Sequence, residues 1–580
     1  MTIVAGIIVA IIMGCSYPYI VLKLGFGPNV SVVAAFFGFL VLSAFNAAFK
    51  TGYSRWQNAV VQTAGTSAAQ TAFMCVLLGA FDMLRDMPEV GFKLDLPWWK
   101  AAIWLWVAGT LGVLMAVPLR KHFIVDEKLP YPDGIATAET LIVLDPPRGE
   151  GADPRKIEIA KRAAIALSIG LVISAFFMVI RDEAKMFHGI LEDGWMAMWV
   201  LGGVTLAKMG VGVSYSVLAV GSGMIVGWRV NASMILGGLL AWVVAPPLLI
   251  DHGVLPATSS RTDVLLYWVM WPATGMLVFS GLTALALRWR IFIDTFKSLR
   301  GAKLDGGDFP LKWVGTGVAV MAIALTVIQK ILLDMPVWMT LVSILLAVPL
   351  MLVGLRVLGE TNWGPISALS NMMQGLFALV APGHVTANMV SSGTTGTVAV
   401  SSEAIIQDYK GGYIIGSTPR ALTWAQLMAV PIGAISVSLM YEQLVKTYGK
   451  VGGNTLSSAI STKWAGFAKI LKDGVSALPT SAIYALVIAS LVGVVLTLLE
   501  SKKSIKPYVP SPTGVGIGIL VPFVVIATMF IGGIGAAIWK RVDAKTHDPY
   551  MIPLASGFIA GEAIVAVLVP VLLALGIGHG

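Results

Sequence analysis

The chain has 580 residues, of which 57% are hydrophobic and only 12% charged, with a formal net charge of +9. A soluble domain carries about 25% charged residues, so this content excludes a string of soluble domains and sets most of the surface against lipid. The positive charge sits in short loops between apolar runs, the pattern that orients membrane proteins, and is not read as a nucleic-acid footprint.

Seventeen apolar stretches follow one another, most of them near the ~20 residues that a helix needs to cross ~30 Å of hydrocarbon. Met1 leads straight into TIVAGIIVAIIMG without a basic leader, so 3–22 is read as a retained first crossing. The stretches 29–48, 57–84 and 98–119 come next, the last opening on interfacial tryptophans Trp98, Trp99, Trp104 and Trp106. A basic loop over 120–162 is assigned to the cytoplasm, and counting back from it places the N-terminus there too. The stretches 161–180, 194–209, 212–228, 231–250 and 264–288 lead to a second basic loop, 288–312. Two cytoplasmic loops require an even number of crossings between them. One of these five therefore does not span, and the Gly-rich region 194–228 is the candidate. Then come 312–333, 337–357, 366–382, 386–406, 421–442, 475–499, 514–539 and 550–577, with Lys502, Lys503 and Lys506 as a third basic cluster. The expectation is an all-α polytopic membrane protein, one transmembrane domain over 1–580, with about 14–16 true crossings and some re-entrant or broken segments.

An internal repeat is suggested by two likenesses. LGFGPNVSVVAAFFGFL (24–40) resembles LGETNWGPISALSNMMQGLFAL (358–379), and YPDGIATAETLIVL (131–144) resembles PLASGFIAGEAIVAVL (553–568). They divide the chain into related halves, 1–260 and 340–580, joined by 261–339, with the orientation of the repeat left open.

Several kinds of chemistry lack their motifs. GxxxxGK[ST], HExxH and GxSxG are all missing, and the six histidines show no metal-ligand spacing. Cys15 and Cys75 lie inside apolar runs and can form neither a disulfide framework nor a zinc site. No cofactor is expected and an enzyme is disfavoured.

Four features carry polar chemistry where lipid would forbid it. KLPYPDGIATAETL (128–141) breaks regular helix with two prolines and a glycine, and presents Tyr131, Asp133, Thr137 and Glu139. It reads either as a broken segment with backbone open to a ligand or as an ordinary cytoplasmic turn. The segment 386–421 crowds Asn388, Ser391, Ser392, Thr394 and Thr395 with further hydroxyls ahead of Glu403. It suits a helix lining an aqueous path or one packed closely by small residues. Its end is marked by Asp408, Lys410 and Arg420, placed at the cytoplasmic surface. GETNWGPISALSNMMQG (359–375) adds Asn362, Trp363, Asn371 and Gln374 beside a Gly-Pro break, again for ligand contact or packing. Glu562 is the lone charge between Asp548 and the C-terminus. A carboxylate at that depth costs roughly 2.5–3.5 kcal/mol unless it meets a cavity or partner. It is a candidate proton carrier or a structural hydrogen bond, with Lys208 and Arg229 as candidate partners. Glu139 and Glu403 are similar candidates nearer the predicted helix ends.

LRKHFIVDEKLPYPDGIATAETL (119–141), GETNWGPISAL, NMVSSGTTGTVAVSSEAIIQDYKGGYIIGSTPRALTWAQL and GIGILVPF…ASGFIAGEAI resemble, in order and spacing, blocks of the oligopeptide transporter (OPT) family. The resemblance runs from near residue 1 to near residue 575, and the short N-terminus is most similar to prokaryotic members. It implies a plasma-membrane secondary transporter, driven by the proton gradient, that imports short peptides or, as in the yellow stripe-like branch, metal chelates of amino-acid-derived ligands. It also implies a homodimer. Substrate contacts are expected from 131–139, 362–374 and 388–403, and the coupling proton on Glu562, Glu139 or Glu403. Asp133 and the hydroxyl-rich TTGTVAVSSE depart from the family pattern within this ligand region, so the substrate itself does not carry over. The alternative from another class is a passive channel lined by the same segments.

Overall fold

The computed structural model describes residues 1–24, 30–50, 52–129, 131–145, 154–181, 194–201, 203–256, 258–259, 261–287, 309–361, 364–453, 455–473, 480–502 and 504–574. The chain is helical nearly throughout. Its first part builds α1 (Thr2–Leu24), α2 (Val30–Phe49), α3 (Arg55–Ala72), α4 (Cys75–Arg85), α5 (Trp98–Ala116), α6 (Pro132–Leu144) and α7 (Pro154–Arg181). Then come α8 (Val217–Val226), α9 (Trp228–Leu239), α10 (Ala245–Asp251), α11 (Arg261–Val264) and α12 (Met270–Ala286). The rest forms α13 (Leu311–Leu332), α14 (Val337–Thr361), α15 (Ile366–Val380), α16 (Val385–Ile415), α17 (Pro419–Tyr448) and α18 (Ala459–Asp473). It closes with α19 (Thr480–Glu500), α20 (Pro512–Leu520), α21 (Phe523–Val542) and α22 (Ala544–Ala574).

Twelve helical stretches among the described residues are long and apolar enough to cross a membrane. α16 is also long enough, with 31 residues, but is too polar to count among them. α8 and α20, with 10 and 9 residues, rise only about 15 Å each and cannot cross unaided.

The Gly-rich region resolves differently from a helix. β1 (Gly194–Met196) pairs antiparallel with β4 (Gly212–Ser214), and β2 (Val200–Leu201) with β3 (Val204–Thr205). The apolar stretch 194–209 is therefore not a helical span. Gly203 and Gly210 sit at φ +75° and +74°, a turn geometry that glycine adopts freely. The ladder can form because Gly194 and Gly212 lie flat on the opposing strand, where a Cβ would come within 2.4 and 2.1 Å of carbonyl oxygens.

The bundle has an inside and an outside. α13 turns Val320, Ile323, Val327 and Ile331 outward at helical spacing, and α19 does the same with Val487, Ile488, Leu491 and Val495. α16 is its opposite: every residue from Ala387 to Gly412 is buried. It is enclosed by α3, α5, α6, α14, α15 and α17. Glycine permits the closest approaches, as expected where small residues let helix backbones meet. A Cβ on Gly112 of α5 would stand 2.4 Å from the Val398 carbonyl oxygen, and one on Gly134 of α6 2.5 Å from that of Gln407.

The packing is paired. α1 and α2 lie on α3 as α14 and α15 lie on α16, and α7 lies along α22 as α12 lies along α19. The lead helix of each set, α3 continued by α4 in one and α16 in the other, runs opposite to its counterpart, since Gln62 of α3 meets Asp408 while Leu77 of α4 meets Gly393. α6 packs on α16 as α18 packs on α4.

Overpacking a helix crossing costs about 1–3 kcal/mol. Gly112→Val is therefore expected to lower the thermal unfolding temperature of the detergent-solubilised protein clearly. Gly315→Ala, where a Cβ meets nothing within 4 Å, should leave it unchanged.

Candidate functional site

α16 organises the polar interior. Asn388, Ser392, Thr395 and Glu403 follow one another at offsets of 4, 3 and 8 residues and so share one helix face. Each keeps a buried side-chain oxygen without a hydrogen-bond partner. The neighbouring hydroxyls are already used: Ser391 donates to the Asn388 carbonyl at 3.0 Å, and Thr394 to that of Val390 at 2.9 Å. The expected ligand-facing row thus divides into occupied and open groups.

α15 supplies the facing amides. Asn371 donates to Gln374 Oε1 at 2.6 Å, Gln374 Nε2 donates to the Trp464 carbonyl at 3.2 Å, and Asn388 donates to the Gln374 carbonyl at 2.6 Å. The Oδ1 atoms of Asn371 and Asn388 and the Ser370 hydroxyl remain open. Asn362 and Trp363 lie outside the described residues.

Glu403 lies near the middle of α16, 6% exposed, and forms no ion pair among the described residues. Its carboxyl fits against two glycines. A Cβ on Gly364 would come within 2.3 Å of Oε2, and one on Gly354 within 3.4 Å of Oε1. Gly364 leaves room for the carboxyl, and Gly354 lets α14 approach α15, where a Cβ would come within 2.8 Å of Leu369.

The YPDG segment is used for anchoring. Tyr131 takes a left-handed φ of 43° just ahead of α6; its N–H donates to the Gly359 carbonyl and its hydroxyl to that of Leu355, both at 3.0 Å. The ring is fully buried and clamps α6 to the end of α14. Asp133 sits in the first turn of α6, where a negative charge suits the helix N-terminus. Thr137 donates to the Asp133 carbonyl at 2.8 Å. Glu139, on the same helix, is exposed.

Glu562 has partners other than those the sequence suggested. It meets Lys23 Nζ at 3.1 Å and an Arg181 guanidinium nitrogen at 2.9 Å, with all three residues buried. Ser216 donates to both its oxygens at 2.8 and 3.0 Å, and the Leu218 N–H donates at 3.0 Å from the start of α8. The carboxylate ties α1, α7, α8 and α22 together. Lys208 instead donates to the Thr258 carbonyl, and Arg229 pairs with Glu500.

A family-level match decides what this interior belongs to. The family described as "OPT oligopeptide transporter protein" matches residues 1–573. The chain belongs to the OPT family. Several similar proteins carry the name "Probable metal-nicotianamine transporter". YSL8 of Arabidopsis thaliana is 22% identical, with 97% of this chain and 85% of that protein covered. YSL13 of Oryza sativa subsp. japonica is 24% identical, with 97% and 84% covered, and YSL6 of Arabidopsis thaliana 24% identical, with 97% and 90% covered. This OPT protein is a multi-pass membrane transporter and not an enzyme.

Sequence reasoning missed several buried polar groups of this transporter. Asp408, expected at a membrane surface, is 3% exposed and accepts from Gln62 at 2.7 Å. Gln329 of α13 donates to Thr394 at 2.7 Å and accepts from Thr340 at 2.9 Å. Lys463 of α18 is buried and hydrogen-bonded to the Ser367 hydroxyl. Lys463 stands among serines and threonines with Lys469 and Lys472 close behind, so the sequence reads it as one more loop cation; the glutamines give no signal either.

Removing one member of a buried ion pair costs about 3–5 kcal/mol, because the remaining charge stays buried. Glu562→Gln is expected to lower thermal stability and folded yield sharply. Lys208→Ala should change neither, by fluorescence-detected size exclusion after heating.

Proposed function

We propose that this OPT protein is a secondary active importer that couples proton entry to uptake of a small amino-acid-derived solute by alternating access. The observation that carries the coupling is Glu403: a buried carboxyl on the central helix, without an ion-pair partner among the described residues and with an open oxygen. A carboxyl so placed is buried at low cost only as the neutral acid, and intramembrane carboxyls are the usual relay for protons in transporters. Glu562, bridged by two cations, fits a structural anchor better, and Glu139 is exposed and not enclosed within the bundle. The solute would be held by Asn371, Gln374, Asn388, Ser392 and Thr395.

Two solute classes fit. The family description supports short peptides, and the names of the similar plant proteins support metal chelates of nicotianamine type. The amide- and hydroxyl-lined face of α16 suits the peptide groups and carboxylates common to both. Opposed lead helices and paired packing support two inverted halves rocking about a central site. The basic loops support a cytoplasmic N-terminus in the plasma membrane.

The test is uptake of labelled dipeptides, and separately of ferric and cupric nicotianamine, into proteoliposomes one pH unit more acidic outside. One pH unit is worth about 1.4 kcal/mol per proton, so one coupled proton sustains about a tenfold accumulation. We expect the wild-type protein to reach such a ratio with one class and to lose it on adding an uncoupler. Glu403→Gln should bring the ratio to about one while exchange of labelled for unlabelled solute persists. Equilibration without accumulation in the wild type would establish the passive channel instead. Uncoupler-sensitive accumulation retained in Glu403→Gln would remove this residue from the proton's path.

A further inference from the structure

A cavity of about 340 Å³ opens between α4, α5 and α17, at the membrane face where α5 begins. Its volume lies in the range of small-molecule sites. It is distinct from the amide cluster of α15 and α16, and its residues have no part in the proton role proposed for Glu403.

The polar groups around it leave an acidic surplus. Asp82 accepts from the Tyr441 hydroxyl at 2.5 Å and pairs with Arg85 at 2.5 Å. Arg85 is shared, since its other nitrogen meets Asp95 at 3.1 Å. Glu442 pairs with Lys446 at 2.6 Å. Three carboxylates thus face two cations, and one guanidinium serves two of them. Ser438 also lines the cavity, 1% exposed, and its buried hydroxyl has no hydrogen-bond partner among the described residues. Phe81 and Trp98 supply aromatic wall. Such a site favours a solute that carries a positive group, a hydrogen-bonding group behind it and some apolar body.

The wall also leads inward. Phe81 stacks on Trp104 with centroids 6.1 Å apart and planes 15° from parallel. Trp104 in turn lies against α16, where a Cβ on Gly393 would stand 2.8 Å from its ring. Two aromatic rings separate the cavity from the polar helix.

We propose that this cavity is a receiving site for a solute bearing a protonated amine, held by the Asp82–Asp95–Glu442 carboxylates and Ser438, ahead of the Phe81–Trp104 barrier. Its place in a transport path rests on the importer reading above; its ligand chemistry does not.

The test uses the full chain in nanodiscs with Cys15→Ser and Cys75→Ala, carrying Ser438→Cys or, should that variant fold poorly, Ala101→Cys on the same cavity. The thiol is modified with 2-aminoethyl or 2-sulfonatoethyl methanethiosulfonate, and each rate is divided by that for a free thiol in solution. Charge-focusing clefts raise local counter-ion concentration by about 10–10³. The normalised cationic rate should therefore exceed the anionic one at least about tenfold, and the ratio should approach one in Asp95→Asn/Glu442→Gln. Di-alanine should slow the modification, and N-acetyl-di-alanine should not. Equal normalised rates, or protection by both dipeptides or by neither, would overturn the site. Protection together with proton-coupled uptake intact in Glu403→Gln would leave the site standing and sink the proton assignment. Loss of coupling in that variant with no protection here would do the reverse.

Discussion

A helix that cannot face lipid sets the terms for the whole bundle. α16 carries amides, hydroxyls and two acids along 31 residues, and each would lose its water in hydrocarbon without gaining a partner. Burying it takes a complete jacket of other helices. α3, α5, α6, α14, α15 and α17 form that jacket, while α13 and α19 turn aliphatic faces outward. Lipid tails are as apolar as leucine, so little hydrophobic force draws these helices together. Close backbone approach replaces it, and this explains glycines at Gly112 and Gly134, where any side chain would strike a carbonyl of α16.

The acids within the bundle show two solutions to one problem. Glu562 is buried with two cations, a serine and a backbone N–H, and so binds four helices that are far apart in sequence. Glu403 is buried against glycines and keeps an open oxygen. The first arrangement is rigid, since moving any member exposes a charge to a medium that cannot solvate it. The second has no such brace among the described residues. A group whose surroundings do not hold its charge in place can change charge during a cycle, and Glu403 is the better placed of the two for that.

Much of this was legible along the chain. Runs near twenty apolar residues announced the spans, and the polar density of 386–421 announced a helix with no place at the lipid surface. The YPDG break was visible too, but not its use, because hydrogen bonds from Tyr131 to Leu355 and Gly359 join positions more than two hundred residues apart. The partners of Glu562 were hidden for the same reason: Lys23 and Arg181 end their own helices and read as ordinary interfacial cations. Asp408 read as a surface residue because Lys410 follows it, yet Lys410 reaches the Leu129 carbonyl and both are buried. The even count of crossings between the basic loops also points to a non-spanning stretch within 194–228, and 194–209 is one, although it is apolar enough to read as a helix. Its glycines instead allow two strand pairs that a helix-length window does not detect.

The link between α14 and α15 connects the acid to the amide cluster. Gly364 and Gly354 touch Glu403, and the helix that begins just beyond Pro365 carries Asn371 and Gln374 toward Asn388. In the proton-coupled reading, a change of charge on Glu403 alters what lies against Gly364, and α15 transmits any shift of its first turn to the amides about two turns along. Solute and proton would then act on one rigid element, which is what coupling requires: each ligand must favour the same position of a shared part. Had Glu403 been braced like Glu562, neutralising it would break an ion pair and leave cations buried. That cost would oppose the cycle and not drive it.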